Sequence, residues 1–203
     1  MKIPTVSAWR KAAFGAVLFV VAACVPTAEH PVTRPGQSPD KALLGAWHGK
    51  LEGGGAIDLY FLGRQEKPEM TAMMITTGDG AKDHGEWSAF TVVTGEVKGT
   101  HYLSALWDYN DGEAVQGRDR GWHIMRYTIT PEGTLQLFAV NEDRLLKAVK
   151  HKKVEGKIDD KDKKYPEVRV TASSEAFEDY LATIDPLKLF DKPFAAALRR
   201  PTP

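Results

Sequence analysis

Glycine is distributed along this chain in a way that restricts what it can fold into. Sixteen of the eighteen glycines lie between residues 41 and 156, and none follows Gly156. They separate short apolar segments, and regular interruptions of this kind indicate antiparallel strands joined by tight turns. We therefore expect a mainly β domain over residues 41–172.

Apolar and polar residues alternate within seven segments of this block, as they do in strands with one buried face. Ile57, Leu59 and Phe61, for example, alternate with Asp58 and Tyr60. The predicted strands are Leu43–Leu51, Ala56–Leu62, Met70–Thr76, Trp87–Val93, His101–Trp107, Gly121–Thr130 and Thr134–Val140. A shorter segment, Glu167–Thr171, is the candidate for an eighth strand.

After residue 172 the pattern becomes helical. Apolar residues recur with helical spacing at Phe177, Tyr180, Leu181 and Ile184. Ser173 or Ser174 can cap this helix, and Pro186 ends it. A second short helix is predicted to begin at Asp191. We expect residues 173–203 to form a C-terminal helical segment that packs on the β domain.

The first predicted strand contains Gly45-Ala46-Trp47, which resembles the Gly-x-Trp signature of lipocalins and other calycin barrels. The resemblance implies an antiparallel, eight-stranded up-and-down barrel whose base is closed by Trp47. It also implies an arginine near the last strand, packed over this tryptophan, and Arg169 is the candidate. A barrel of eight strands just holds one small ligand. Another antiparallel barrel or a β-sandwich is the alternative.

The N-terminal residues predict export from the cytoplasm. Lys2, Arg10 and Lys11 precede the apolar run Ala12–Ala23, and no acidic residue occurs before Glu29. A bilayer-spanning helix needs about 20 apolar residues, so this run is too short to span and fits a signal peptide. We assign residues 1–23 to that signal peptide.

The last residues of this segment, Val21-Ala22-Ala23-Cys24, resemble the lipobox of bacterial lipoproteins. The resemblance implies cleavage before Cys24 and acylation of its sulfur and new amino group, which would anchor the protein to a membrane. Val25 is not the aspartate that retains many lipoproteins in the inner membrane, so the same analogy favours the outer membrane, facing the periplasm. An uncleaved anchor or a buried free thiol is the alternative. Residues 24–40 contain four prolines and predict an extended tether.

Composition excludes several classes of protein. A single cysteine cannot form an intramolecular disulfide or a four-cysteine zinc site. Basic and acidic residues number 27 each, and loss of residues 1–23 leaves 24 basic against 27 acidic. A mildly acidic domain lacks the basic surplus that nucleic-acid binding requires. We expect no nucleic-acid partner.

No motif predicts catalysis or a resident cofactor. The Gly-x-Ser-x-Gly, His-Glu-x-x-His and P-loop patterns are absent from the sequence. Asp83, His84 and Glu86 form the tightest acid–histidine group, but a solvated loop is the simpler expectation. The segment Asp108–Glu113 fails the EF-hand pattern, because Gly112 is its fifth residue and that loop requires glycine at the sixth. We expect a hairpin loop there, no metal, no cofactor and no enzyme.

Aromatic residues on or beside the predicted strands are the candidates for ligand binding: Trp47, Trp87, Tyr102, Trp107, Trp122 and Tyr127. Aromatic and methionine side chains line small apolar pockets, although they also fill barrel cores. The first hypothesis is a membrane-anchored envelope lipoprotein that binds a small apolar ligand inside the barrel. The alternative is a structural or accessory subunit that contacts an envelope protein complex, through the region Trp107–Trp122 or the C-terminal helix.

Overall fold

The computed structural model describes residues 26–33, 38–51, 55–64, 67–78, 85–117, 120–159 and 166–201. The strands are β1 (Thr27–Ala28), β2 (Gly45–Leu51), β3 (Ala56–Gly63), β4 (Met70–Thr77), β5 (Glu86–Val97), β6 (Thr100–Asn110), β7 (Glu113–Ala114), β8 (Trp122–Ile129), β9 (Thr134–Val140), β10 (Gly156–Asp159), β11 (Glu167–Val170) and β12 (Phe190–Arg199). The helices are α1 (Glu142–Lys150), α2 (Ser174–Thr183) and α3 (Pro186–Leu189), and a 3-10 turn covers Lys41–Leu43.

Eight of these strands close into an antiparallel barrel. Their order is β2-β3-β4-β5-β6-β8-β9-β12, and β12 pairs with β2 to complete the circle. The short strand β7 only extends the end of β6. Each barrel strand therefore lies beside the next one along the chain, which confirms the predicted mainly β, up-and-down barrel with short helices.

The eighth barrel strand is not the one that the sequence pattern predicted. Strand β11 pairs with β10 and β1, outside the barrel. The barrel is closed instead by β12, where the sequence predicted a helix from Asp191. Its run of alanines favours a helix in isolation, but pairing with β9 and β2 satisfies the backbone along both edges. The register shifts on either side of Pro193 accommodate the proline in the strand. Because β12 belongs to the barrel, the β domain extends beyond the predicted boundary at residue 172.

The described part of the proline-rich segment, predicted as an extended tether over residues 24–40, packs against the barrel. Strand β1 pairs with β8 and β11. The buried Val32 donates its backbone N–H to Ser104 Oγ at 2.9 Å. Gly95 permits this approach, because a Cβ there would lie 2.5 Å from the Val32 carbonyl oxygen. The pairing of β1 and the hydrogen bond to Ser104 therefore hold the described part of this segment on the barrel.

The buried side chains form two separate cores. One fills the barrel and includes Trp47, Phe61, Met70, Leu103, Leu135 and Leu198. The other lies outside it and joins residues of β6, β8 and β9, such as Tyr102, Ile124 and Phe138, to residues of the helices, such as Phe177 and Leu181. Helix α2 is capped by Ser173, whose hydroxyl accepts from the Ala176 N–H at 3.2 Å. The helices thus cover one side of the barrel wall, whereas Phe190–Arg199, predicted as part of the helical segment, belongs to the barrel itself.

Candidate functional site

Trp47 closes the end of the barrel at which β2 begins, and we call this end the base. Its side chain is buried, and its indole Nε1 donates to the Leu43 carbonyl at 2.7 Å. Leu43 ends the 3-10 turn that precedes β2 and is itself fully buried. The Gly-x-Trp segment is therefore fixed by packing and by a hydrogen bond within four residues.

Arg200, rather than Arg169, covers this tryptophan. The Arg200 guanidinium carbon lies 4.4 Å from the Trp47 ring centroid. Its two terminal nitrogens donate to the Leu44 and Ala42 carbonyls, each at 2.7 Å. The candidate Arg169 lies on β11, outside the barrel, with its Nε 3.5 Å from a carboxylate oxygen of Glu29. The candidate Arg169 was wrong because β11 is not a barrel strand. Arg200 takes this place because it directly follows β12, the last strand of the barrel.

Tyr127 adds a buried hydrogen bond near the base. Its phenol donates to Asp40 Oδ2 at 2.7 Å, and Asp40 in turn caps the 3-10 turn by accepting from the Ala42 N–H. Burial raises the pKa of the Tyr127 phenol well above its usual value, and the hydrogen bond to Asp40 raises it further. The segment before β2 is thereby tied to β8.

The other half of the barrel interior remains partly open to solvent. Five inward-facing residues there are only half-buried, and we call them the open-end cluster: Met74, Phe90, Trp107, His123 and Met125. The rings of Phe90 and Trp107 stack with centroids 6.1 Å apart, and His123 meets Trp107 edge-on at 6.3 Å. Met74, Phe90 and Met125 also contact the interior core below them.

Polar groups lie at the rim above this cluster. Ser88 Oγ donates to Asn110 Oδ1 at 3.0 Å, joining β5 to the end of β6. Thr76 and Glu86 are paired in register on β4 and β5, on the inward-facing side of both strands. The open end is thus apolar inside and polar at its edge, an arrangement typical of small-molecule sites.

Only three of the six predicted ligand-binding residues face the interior: Trp47, Trp107 and Tyr127. Tyr102 and Trp122 lie on the outer face and pack in the second core, and Trp87 is exposed on the outer wall. Tyr102 is fully buried there, 5.7 Å from the Phe190 ring, and burial raises its pKa to about 12. Tyr102, Trp122 and Trp87 do not line the barrel, because successive residues of a strand point to opposite faces.

The six predicted ligand-binding residues do not include Met74, Phe90, His123 and Met125, although Met74, Phe90 and Met125 belong to the aromatic and methionine residues on the predicted strands. The strand pairing brings these residues together. Phe90 lies opposite Trp107, and His123 lies opposite Ala105, which is two residues before Trp107 on β6. Alternation assigns relative faces within one strand, but it does not say which strand lies beside which. The open-end cluster can therefore be identified only once the order and pairing of the strands are known.

Exposed apolar residues concentrate on the outer wall formed by β3 to β6. We call Leu62, Met73, Trp87 and Tyr109 the outer-wall patch; each is more than a third exposed. Met73 lies opposite Ala89 on β5, which lies opposite Tyr109 on β6. Contiguous exposed apolar surface is a feature of protein interaction sites.

An open groove of about 440 Å³ adjoins this patch and is lined by Asp108, Tyr109, Ala114, Val115, Gln116, Gly117 and Arg120. The nearby Asp111 and Gly112 both have positive φ, 47° and 87°, as in a two-residue hairpin turn. The hairpin expected in place of a calcium loop is therefore confirmed.

The remaining predicted positions contribute no further geometry. Cys24, Asp83 and His84 lie outside the described residues, and Glu86 begins β5. Within the described ranges, no group of three or more histidine, cysteine or acidic residues could hold a metal ion. No helix in the same part of the chain is long and apolar enough to cross a membrane.

Compared with protein-family models, curated proteins and solved structures, the chain has no significant match. No relative's activity is therefore carried over to this chain.

Proposed function

We propose that this protein binds a small apolar ligand in the open end of its barrel. The observation that carries the proposal is the open-end cluster, in which aromatic and methionine side chains face inward and remain reachable from solvent. Burying apolar ligand surface against them contributes about 25 cal/mol per Å². Methionine side chains adapt to ligands of irregular shape.

The site is formed before any ligand binds. Phe90 and Trp107 lie on paired strands of the closed barrel, and their rings already stack. A pocket of fixed shape binds without the entropic cost of ordering its walls. The cluster offers apolar contact area rather than paired catalytic groups, so we propose binding without turnover.

A fluorescent naphthylamine dye tests the binding site. The full chain carrying Cys24→Ser, which cannot be acylated, should bind the dye, and Trp107→Ala should weaken binding by roughly tenfold or more. Trp87→Ala is the matched control, because the side chain that it removes lies on the neighbouring strand and faces outward. If Trp87→Ala lost dye binding and Trp107→Ala kept it, the dye would bind on the outer wall and the proposal would be contradicted.

We further propose that Cys24 carries the lipid that anchors the protein in the cell envelope, in the outer membrane facing the periplasm. The support is the lipobox resemblance together with the basic and apolar residues that precede it. Growth of producing bacteria with an alkyne-labelled palmitate should label the wild-type chain but not the Cys24→Ser variant. Equal labelling of both would contradict acylation at Cys24.

The outer-wall patch favours a second candidate function, that of an accessory subunit docked on an envelope protein. Three aspartates flank the outer-wall patch: Asp58 on β3, Asp108 on β6 and Asp111 in the turn that follows β6. A partner with an apolar centre and a basic rim would complement it. A photo-crosslinker at position 87 should then give one stoichiometric adduct that a crosslinker at the exposed Leu187 does not give. The same adducts from both positions would count against this function.

A further inference from the structure

The barrel interior is divided into a filled part and an open part. Leu103, opposite Met125, and Leu59, opposite Met74, are buried immediately beneath the open-end cluster. Below them Trp47, Phe61 and Tyr127 fill the base. Packed interiors of this kind do not yield to an incoming chain without large cost. A ligand entering from the open end therefore stops at the level of these two leucines.

The depth of the open part follows from strand geometry. Glu86 begins β5 at the rim, and Phe90 lies four positions further along the same strand. With a rise of about 3.3 Å per residue and a tilt of roughly 40°, this span corresponds to a depth on the order of 10 Å. Because carbon–carbon bonds zigzag, an extended chain advances only about 1.3 Å per carbon, so a chain of about eight carbons fills that depth.

The rim determines the other end of the ligand. On β5 the inward-facing side chains above Phe90 are Ser88 and Glu86, both polar, and Thr76 on β4 lies opposite Glu86. An apolar tail can lie against Phe90 and Trp107 while a head group hydrogen-bonds at this level. The carboxylate of Glu86 disfavours an anionic head and favours an uncharged one.

We propose that the ligand is a short amphiphile, with an apolar part of about eight carbons and an uncharged polar head. Long-chain lipids are excluded because the leucines and the filled base leave no room for the rest of the chain. This inference rests on the proposed binding function and specifies the class of ligand for the same site.

Displacement of the naphthylamine dye by straight-chain alcohols tests the inference on the full chain carrying Cys24→Ser. From hexanol to octanol the affinity should rise roughly fourfold for each added methylene, as expected when each one is buried. From decanol to dodecanol it should rise no further. The Leu103→Ala variant should move this break to longer alcohols, and Leu59→Ala provides an independent second variant should Leu103→Ala not fold.

The outcomes separate this inference from the function on which it rests. A steady rise in affinity through dodecanol would overturn the length limit and leave the binding function intact. Dye binding that depends on Trp107 but is displaced by no alcohol would overturn the ligand class alone. Absence of binding by both the dye and every alcohol would overturn both.

Discussion

At the scale of single residues, a few polar contacts hold the base of the barrel together. Arg200 bonds two carbonyls of the segment before β2 and lies over Trp47. Tyr127 reaches the same segment from β8 through Asp40. Both contacts join residues far apart in sequence, so removing either should loosen the closure of the base more than it changes any one strand.

Replacing Arg200 with alanine should lower the free energy of unfolding by about 1–3 kcal/mol, because two hydrogen bonds and a cation–π contact are lost. Urea denaturation followed by tryptophan fluorescence measures the change. Arg199→Ala is the matched control, since Arg199 is exposed and adjacent in sequence. Equal losses in the two variants would show that Arg200 has no special part in closing the base.

The Tyr127 phenol makes stability depend on alkaline pH. Its pKa is raised in the folded protein, whereas an unfolded tyrosine ionises near pH 10. The stabilisation is therefore complete below about pH 10 and is lost as the pH rises further, because only the unfolded chain releases the proton. Tyr127→Phe should reduce this alkaline loss, measured as the free energy of unfolding between pH 8 and about 11. An unchanged slope would contradict the role given to Tyr127.

At the scale of elements, alternation predicted the seven strands from β2 to β9 that belong to the barrel, and helical spacing predicted α2. It failed for β12, whose alanines favour a helix locally and whose strand conformation depends on two distant neighbours, β9 and β2. It also failed for β1, which is only two residues long. Strands that exist through their partners leave little periodic signal of their own.

The packing of residues 26–33 on β5 gives a prediction at this scale. Gly95→Ala should push Val32 away, because the new Cβ would lie 2.5 Å from its carbonyl oxygen. We expect a loss of about 1–3 kcal/mol, as for overpacking elsewhere, and faster proteolysis within residues 26–33. Gly63→Ala is the control, since a Cβ there meets Leu44 only at ordinary contact distance. Equal behaviour of the two variants would contradict the close approach at Gly95.

At the scale of the whole molecule, the barrel has two unlike ends. The base is filled and tied by Arg200 and Tyr127, whereas the other end exposes Phe90, Trp107 and their neighbours to solvent. The alternating segments, together with the Gly-x-Trp resemblance, allowed the eight-stranded barrel to be predicted from sequence. The open end could not be predicted, because it depends on which strands are paired and how they are staggered.

The central claim is that a small apolar ligand enters this open end, and methionine methyl NMR tests it most directly. Met73 and Met74 are adjacent in sequence but face opposite sides of β4, and Met125 faces inward on β8. On titration of the methyl-labelled full chain carrying Cys24→Ser with the naphthylamine dye, the Met74 and Met125 signals should shift while the Met73 signal stays in place. A shift of Met73 alone, or no shift at saturating dye, would contradict the account.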